Sequence, residues 1–332
     1  MVRTTASEVR ARPHRDTNFD PLPLPERRRL VPIKPDGSLP PLFLVHGWFG
    51  EIFHFKRVAE RLRDDIPLYG FEARGIWGDE QPQNDLPTIA AAYIRELREV
   101  QPHGPHLLGG FSLGGLIAWE MARQLAAAGD PPHLLSIDVG PWVRATRANP
   151  RRFRRLRLPF ATAWFHWRNW SGLEGASRGA YARQAYRDEM QRLAGILHLD
   201  PNGRLFRFAL RAGRRPPRGH IATRIALAEA MATWDYQPYP YPFTLFRGKI
   251  QWPLGRNLPL LGFTPEIAPA PVEVRHLPGH HGYMFVEPHV NELVAELEDW
   301  VDRHAGQPAP TPFDATPEAA PHSPTPAEVA RP

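Results

Sequence analysis

Apolar residues along this chain fall into short continuous runs separated by longer stretches of helical spacing. Leu42-Phe-Leu-Val-His-Gly47 reads as a buried strand that ends in a turn. Ile66-Pro-Leu-Tyr-Gly70 and His106-Leu-Leu-Gly109 repeat that form, with a helical segment from Pro87 to Val100 between them. Leu116, Ile117, Met121 and Leu125 then recur at helical spacing up to Gly129, and His133 to Asp138 makes another strand. Phe243 to Arg247 and Val272 to His276 are later strands, and His289 to His304 is a closing helix. Strands that alternate with helices predict a mostly parallel sheet with helices on both faces.

The turn between the His106 strand and the helix that follows is Gly109-Gly-Phe-Ser-Leu-Gly-Gly115. It has the form of a nucleophile elbow centred on Ser112, in which a sharp strand-to-helix turn lifts the hydroxyl into the open. Small neighbours, here Gly110 and Gly114, let the backbone bend that tightly. The bland alternative is a serine capping a helix in a glycine-rich loop. The order of strand, serine-bearing turn and helix, with the serine at the carboxyl end of its strand, is the one an α/β-hydrolase sheet requires.

A serine hydroxyl is a weak nucleophile at neutral pH and needs a base and a group to orient that base. Asp138 ends the strand after the Ser112 helix, which puts its carboxylate at the same sheet edge; its bland reading is a turn aspartate. The base falls in the loop His276-Leu-Pro-Gly-His-His-Gly-Tyr-Met284, between the last strand and the closing helix. The residues leave His276, His280, His281 and His289 open as candidates.

Five segments together resemble a known family. They are Val45-His-Gly-Trp-Phe-Gly50, Tyr69 to Gly75, Gly110 to Ala122, Tyr239 to Arg247, and Pro278-Gly-His-His with Glu287-Pro-His289. In this order, over Leu30 to His304, they look like the thioesterase domains that terminate non-ribosomal peptide and polyketide synthesis. The resemblance implies a triad of Ser112, Asp138 and His281. It also implies an oxyanion hole made by the backbone N–H groups of Leu113 and Trp48, each such donor lowering the barrier by about 3 kcal/mol. Where the family often has aspartate before its histidine, this chain has His280, a second histidine beside the first. His46 reads as a turn residue that shapes the oxyanion loop. A histidine base, which acts when neutral, implies activity that rises with pH through about 6.5.

Composition refines the layout. The chain has 332 residues, 42% of them hydrophobic, which suits one large core plus an insertion. Residues 1–29 are rich in Arg and Pro without apolar periodicity, and 306–332 are rich in Pro, Ala and Thr; both are expected to be flexible. Between them the expected parts are a core from 30 to 143, a helical lid from 144 to 236 and the rest of the core from 237 to 305. There is no apolar leader and no run of about 18 apolar residues, so a cytoplasmic protein is expected. The absence of cysteine rules out disulfides and thiolate metal sites, and no histidine spacing suggests a metal. No metal or cofactor is expected.

The expected lid is strongly basic. From Arg144 to Asp235 there are 19 Arg, no Lys and 6 acidic residues, a charge of +13 within a chain of net +6. Phe160, Trp164 and Trp167 fall on one helical face after Arg151-Arg-Phe-Arg-Arg-Leu-Arg157. Three readings compete. Trp164 and Trp167 line an acyl channel while the arginines face an acidic carrier protein or the phosphate of phosphopantetheine, as the resemblance suggests. Alternatively the segment docks on an anionic membrane surface, or it is a packed lid with a solvated face. No nucleic-acid-binding module is present, so no nucleic acid is expected.

The expected chemistry is acyl transfer from the phosphopantetheine thioester of an acyl or peptidyl carrier protein, by hydrolysis or cyclisation through an acyl-enzyme. A starting Met and the lack of a carrier-domain serine motif suggest an enzyme acting in trans. A carboxylesterase with the same triad, and a non-catalytic basic scaffold for membranes or acidic partners, are the other classes.

Overall fold

Seven strands form one sheet. In chain order they are β1 (Leu30–Lys34), β2 (Leu42–Val45), β3 (Leu68–Phe71), β4 (Leu107–Phe111), β5 (His133–Ile137), β6 (Phe243–Gly248) and β7 (Val272–Leu277). The computed structural model describes residues 28–141, 219–251 and 259–314, with scattered positions between 166 and 183. The strand order across the sheet is β1-β3-β2-β4-β5-β6-β7, and every pairing is parallel except β1 with β3. This is the α/β-hydrolase fold that the strand and helix order predicts.

Five described helices cover the sheet: α1 (Phe53–Ala59), α2 (Leu86–Val100), α3 (Leu113–Ala127), α4 (Gly219–Thr233) and α5 (His289–His304). Alternation along each strand sends successive side chains to opposite faces. Phe43, Val45, Leu108 and Leu245 enter a core with Ile89, Ile117, Met121 and Leu227, from α2, α3 and α4. Leu42, Leu44, Leu107, Leu135 and Phe246 enter a second core with Phe55 of α1 and Leu293, Leu297 and Trp300 of α5. Because both faces are covered, β2 and β5 are buried at every position, which is why β2 reads as a continuous apolar run and β5 as a largely apolar one.

Two elements had no counterpart in the pattern. β1, Leu-Val-Pro-Ile-Lys, contains a proline, which the edge of a sheet tolerates. α1 spans only seven residues, and just Phe55 and Val58 of it are buried. Within residues 306–314, part of the expected tail, the Phe313 amide donates to the Pro240 carbonyl oxygen. Residues 1–27, most of 142–218 and 315–332, with the Arg-rich segment and Trp164, lie outside the described residues.

Candidate active site

The turn at the end of β4 is held in a conformation that few residues accept. Ser112 has φ 56° and ψ −125°, outside the regions open to ordinary side chains, and its hydroxyl makes no capping hydrogen bond to α3. The capping reading of this serine is therefore set aside. Glycines make the turn possible by close approach. A Cβ on Gly110 would stand 2.0 Å from the Gly114 carbonyl oxygen, and one on Gly114 would stand 2.3 Å from the carbonyl oxygens of both Val45 and His46. The Ser112 amide donates to the Ile137 carbonyl oxygen at 3.1 Å, which ties the elbow to the end of β5.

Asp138, one residue past β5, also has a positive φ of 52°, and its amide donates to the Phe246 carbonyl oxygen at 2.7 Å. Its side chain is 2% exposed. Oδ2 lies 3.0 Å from His281 Nδ1, and Oδ1 accepts from the Gly248 amide at 2.9 Å and from Gln251 Nε2 at 2.8 Å. Burial pushes this carboxyl upward, but the bonds from His281, Gly248 and Gln251 outweigh it and hold the group below the usual carboxylate value. An ionised carboxylate only accepts, so Nδ1 of His281 carries a proton. In the neutral ring Nε2 is then an acceptor, and it lies 2.8 Å from Ser112 Oγ. The serine hydroxyl donates to that nitrogen.

Of the four candidate histidines, His281 is the one within hydrogen-bond distance of both Ser112 Oγ and Asp138 Oδ2. Its side chain is 43% exposed, and its ring stacks on Phe111 with centroids 4.7 Å apart. The neighbouring His280 turns inward between Tyr181 and Tyr283, and its Nδ1 accepts from the Gly282 amide at 3.2 Å. Burial, with the charge of His281 and other nearby histidines, lowers its pKa to about 3, so it stays neutral.

Of the two amides expected to form an oxyanion hole, Leu113 follows Ser112 directly and Trp48 follows β2, the strand paired with β4. Leu113 is the first residue of α3, so its N–H has no partner four residues back within the helix. Trp48 is half-buried in the turn after β2, which is closed by the Gly50 amide donating to the Gly47 carbonyl oxygen at 3.1 Å. His46 is fully buried, with Nδ1 2.7 Å from the Gly47 carbonyl oxygen and Nε2 3.0 Å from the Tyr93 hydroxyl. Burial lowers its pKa to about 4, so it is neutral and shapes this loop.

Gln251, Gly248 and Phe111 were not anticipated, because each meets its partner across more than a hundred residues of chain and leaves no local pattern. Trp167 is helical and 61% exposed. Among the described residues, no group of three or more His, Asp or Glu could hold a metal ion, and no helix is long and apolar enough to cross a membrane.

Residues 40–154 match the family described as Thioesterase domain. A nonribosomal peptide synthetase of Aspergillus terreus is 33% identical over 144 residues, which is 43% of this chain and 15% of the synthetase. The polyketide synthase PksR of Bacillus subtilis is 32% identical over 129 residues, 39% of this chain and 5% of that protein. The chain spans between 1% and 15% of the length of the curated relatives it matches. The NocB thioesterase domain, solved in covalent complex with a fluorophosphonate nocardicin G analogue, superposes with a TM-score of 0.55 at 20% identity. The superposition covers 82% of this chain and 99% of that one. The α/β-hydrolase fold is thus found, and the match over residues 40–154 agrees with the resemblance to thioesterase domains that the sequence carries.

Proposed function

We propose that this chain, a thioesterase domain of the type found in peptide and polyketide synthetases, is a serine thioesterase. In this reading it releases an acyl, polyketide or peptidyl chain from the phosphopantetheine thioester of a carrier protein. The observation that carries it is the unbroken relay from Ser112 Oγ through His281 to the buried Asp138 carboxylate, built on a strained serine at the carboxyl edge of the sheet. His281 Nε2 takes the hydroxyl proton as Oγ attacks the thioester carbon. Negative charge then grows on the former carbonyl oxygen, where the N–H groups of Leu113 and Trp48 stabilise it. Collapse of the intermediate expels the pantetheine thiolate, which receives the proton from His281. The acyl-serine passes to water or to a nucleophile on the acyl chain itself. Asp138 keeps the imidazole in the reacting tautomer and stabilises its protonated form. The site needs no metal or cofactor of its own; the acyl group arrives on the carrier.

Thiol release from a panel of acyl-pantetheine thioesters tests this, and the chain adds no thiol background because it has no cysteine. The expected result is release by the wild type that falls by about 10⁶ in Ser112→Ala. Equal release by both would sink the serine mechanism. Turnover of p-nitrophenyl esters in preference to thioesters would make the protein a carboxylesterase.

A further inference from the structure

Three consecutive residues follow the Trp48 amide, and each is met by one turn of α4. The Arg224 guanidinium lies over the Phe49 ring, its carbon 5.1 Å from the ring centroid. Gly50 has φ +78°, and a Cβ there would stand 2.9 Å from Ala73 Cβ, 3.1 Å from Ile76 Cδ1 and 3.3 Å from the methyl carbon of Thr223 on α4. His220 Nδ1 lies 3.7 Å from Glu51 Oε2.

The start of α4 is fixed in turn. A Cβ on Gly219 would stand 1.9 Å from the Gly75 carbonyl oxygen and 2.4 Å from the Gly78 amide, so only a glycine lets the helix enter there. The Thr223 hydroxyl donates to the Arg74 carbonyl oxygen at 3.4 Å, and the Ala73 amide donates to the Gly50 carbonyl oxygen at 2.8 Å. Helix, loop 73–78 and turn 48–51 therefore lock one another. Burial raises the Glu51 carboxyl above its usual value and lowers the Arg224 guanidinium below its own, while the opposite charge of each acts against the other's shift. Partial burial leaves the attraction between Glu51 and Arg224 less screened than it would be at the open surface.

We infer that α4 is a positioning clamp for the oxyanion turn, with Arg224 on Phe49 and His220 on Glu51 setting where the Trp48 N–H points. This rests on the serine thioesterase reading. Plain packing does not require a cation over a ring that is itself 40% exposed, next in the chain to one of the two amides assigned to the oxyanion. An oxyanion donor helps only when it is aligned to the charge as it forms, so a small rotation of the turn is read in kcat before it is read in substrate binding.

The test compares wild type with Phe49→Leu, Arg224→Gln, Arg224→Lys and the Phe49→Leu/Arg224→Gln double variant. The substrate is the acyl-pantetheine that the wild type hydrolyses fastest. Sites are counted with a fluorophosphonate, so that loss of folded enzyme is removed from the rate. The two single variants are expected to lose about tenfold in kcat with KM nearly unchanged. Each should bind an alkyl trifluoromethyl ketone of the same chain length, which places an oxyanion in the hole, more weakly by the same factor. The double variant should be no worse than the weaker single, and Arg224→Lys should recover most of the rate. Additive losses, a change in KM alone, or unchanged kcat and ketone affinity in active protein overturn the clamp. A wild type that neither releases thiol nor reacts with the fluorophosphonate overturns the thioesterase reading and the clamp with it.

Discussion

At their carboxyl ends, β5, β6 and β7 deliver Asp138, Gly248 and the loop to His281. At their amino ends the same strands line a cavity of about 250 Å³ with His133, Phe243, Thr244 and Glu273, beside His304 of α5. Both ends thus hold a histidine, a carboxylate and a hydroxyl within a few residues. At the amino end these groups serve packing. His133 and His304 rest ring on ring at 4.8 Å, and His304 Nδ1 donates to the Trp300 carbonyl oxygen at 2.7 Å. The Thr244 hydroxyl accepts from Trp300 Nε1 at 2.9 Å and donates to Glu273 at 3.2 Å. At the carboxyl end the hydroxyl donates to the histidine, the histidine donates to the carboxylate, and two further donors hold the carboxylate. Ser112 and Asp138 also occupy positive φ there, whereas no residue of the amino end does. Residue types do not make the difference; order of donation, burial of one charge and a strained backbone do.

The largest effect should come from breaking that order at its centre. His281→Ala is expected to lower kcat for thiol release by about 10⁶, as the loss of a triad member does when the group acts as a unit. His280→Phe, which keeps a ring between Tyr181 and Tyr283, should stay within about tenfold of wild type. The reverse pattern would move the base to His280.

Asp138→Asn should cost about 10⁴ in kcat, because an amide in place of the acceptor favours the wrong imidazole tautomer. It also carries a stability signature. Asp138 titrates below the ordinary carboxylate value when folded, so its contribution is fully present above about pH 4 and is lost as pH falls through the folded value. Thermal melts from pH 6 down to 2.5 should show the gap between wild type and Asp138→Asn closing at the acid end. A gap constant across that range would mean that the carboxylate is not held by these bonds in the folded state.

Gln251→Leu sharpens the comparison further, since it leaves Asp138 its bonds to His281 and Gly248 while removing one donor. A loss of about tenfold in kcat is expected, with a smaller acid-side shift in the melts than Asp138→Asn gives. No change in either would make Gln251 a spectator.

The same contrast explains what the sequence could disclose. Leu42 to Val45 was legible as a strand because burial on both faces removes every polar position, and His133 to Ile137 because it is mostly apolar, with only His133 and Ser136 polar. The Ser112 elbow was legible because Gly110 and Gly114 answer a local steric demand that no other residue meets. His281 was not, since adjacent residues on a loop face opposite ways, and nothing local says that His280 turns in and His281 turns out. The family resemblance singled it out. The partners of Asp138 lie on β6 and beyond it, and only the sheet brings them to β5. β1 was hidden by Pro32, and α1 by having two buried residues in place of a full apolar stripe.

The smallest effect should come from the amino end. His133 begins the five-residue β5 that Asp138 follows, so about 17 Å of strand separates the two residues at a rise of about 3.3 Å per residue. Burial and the neighbouring His304 lower the His133 pKa, so the ring is neutral at pH 7 and His133→Phe removes no charge. Packing on His304 is kept in kind by the new ring. Thiol release by His133→Phe should therefore match wild type within about twofold in both kcat and KM, with any cost appearing in the melting temperature. A fall in kcat comparable to that of Gln251→Leu would mean that the amino end of β5 acts on the chemistry, and the contrast between the two ends would fail.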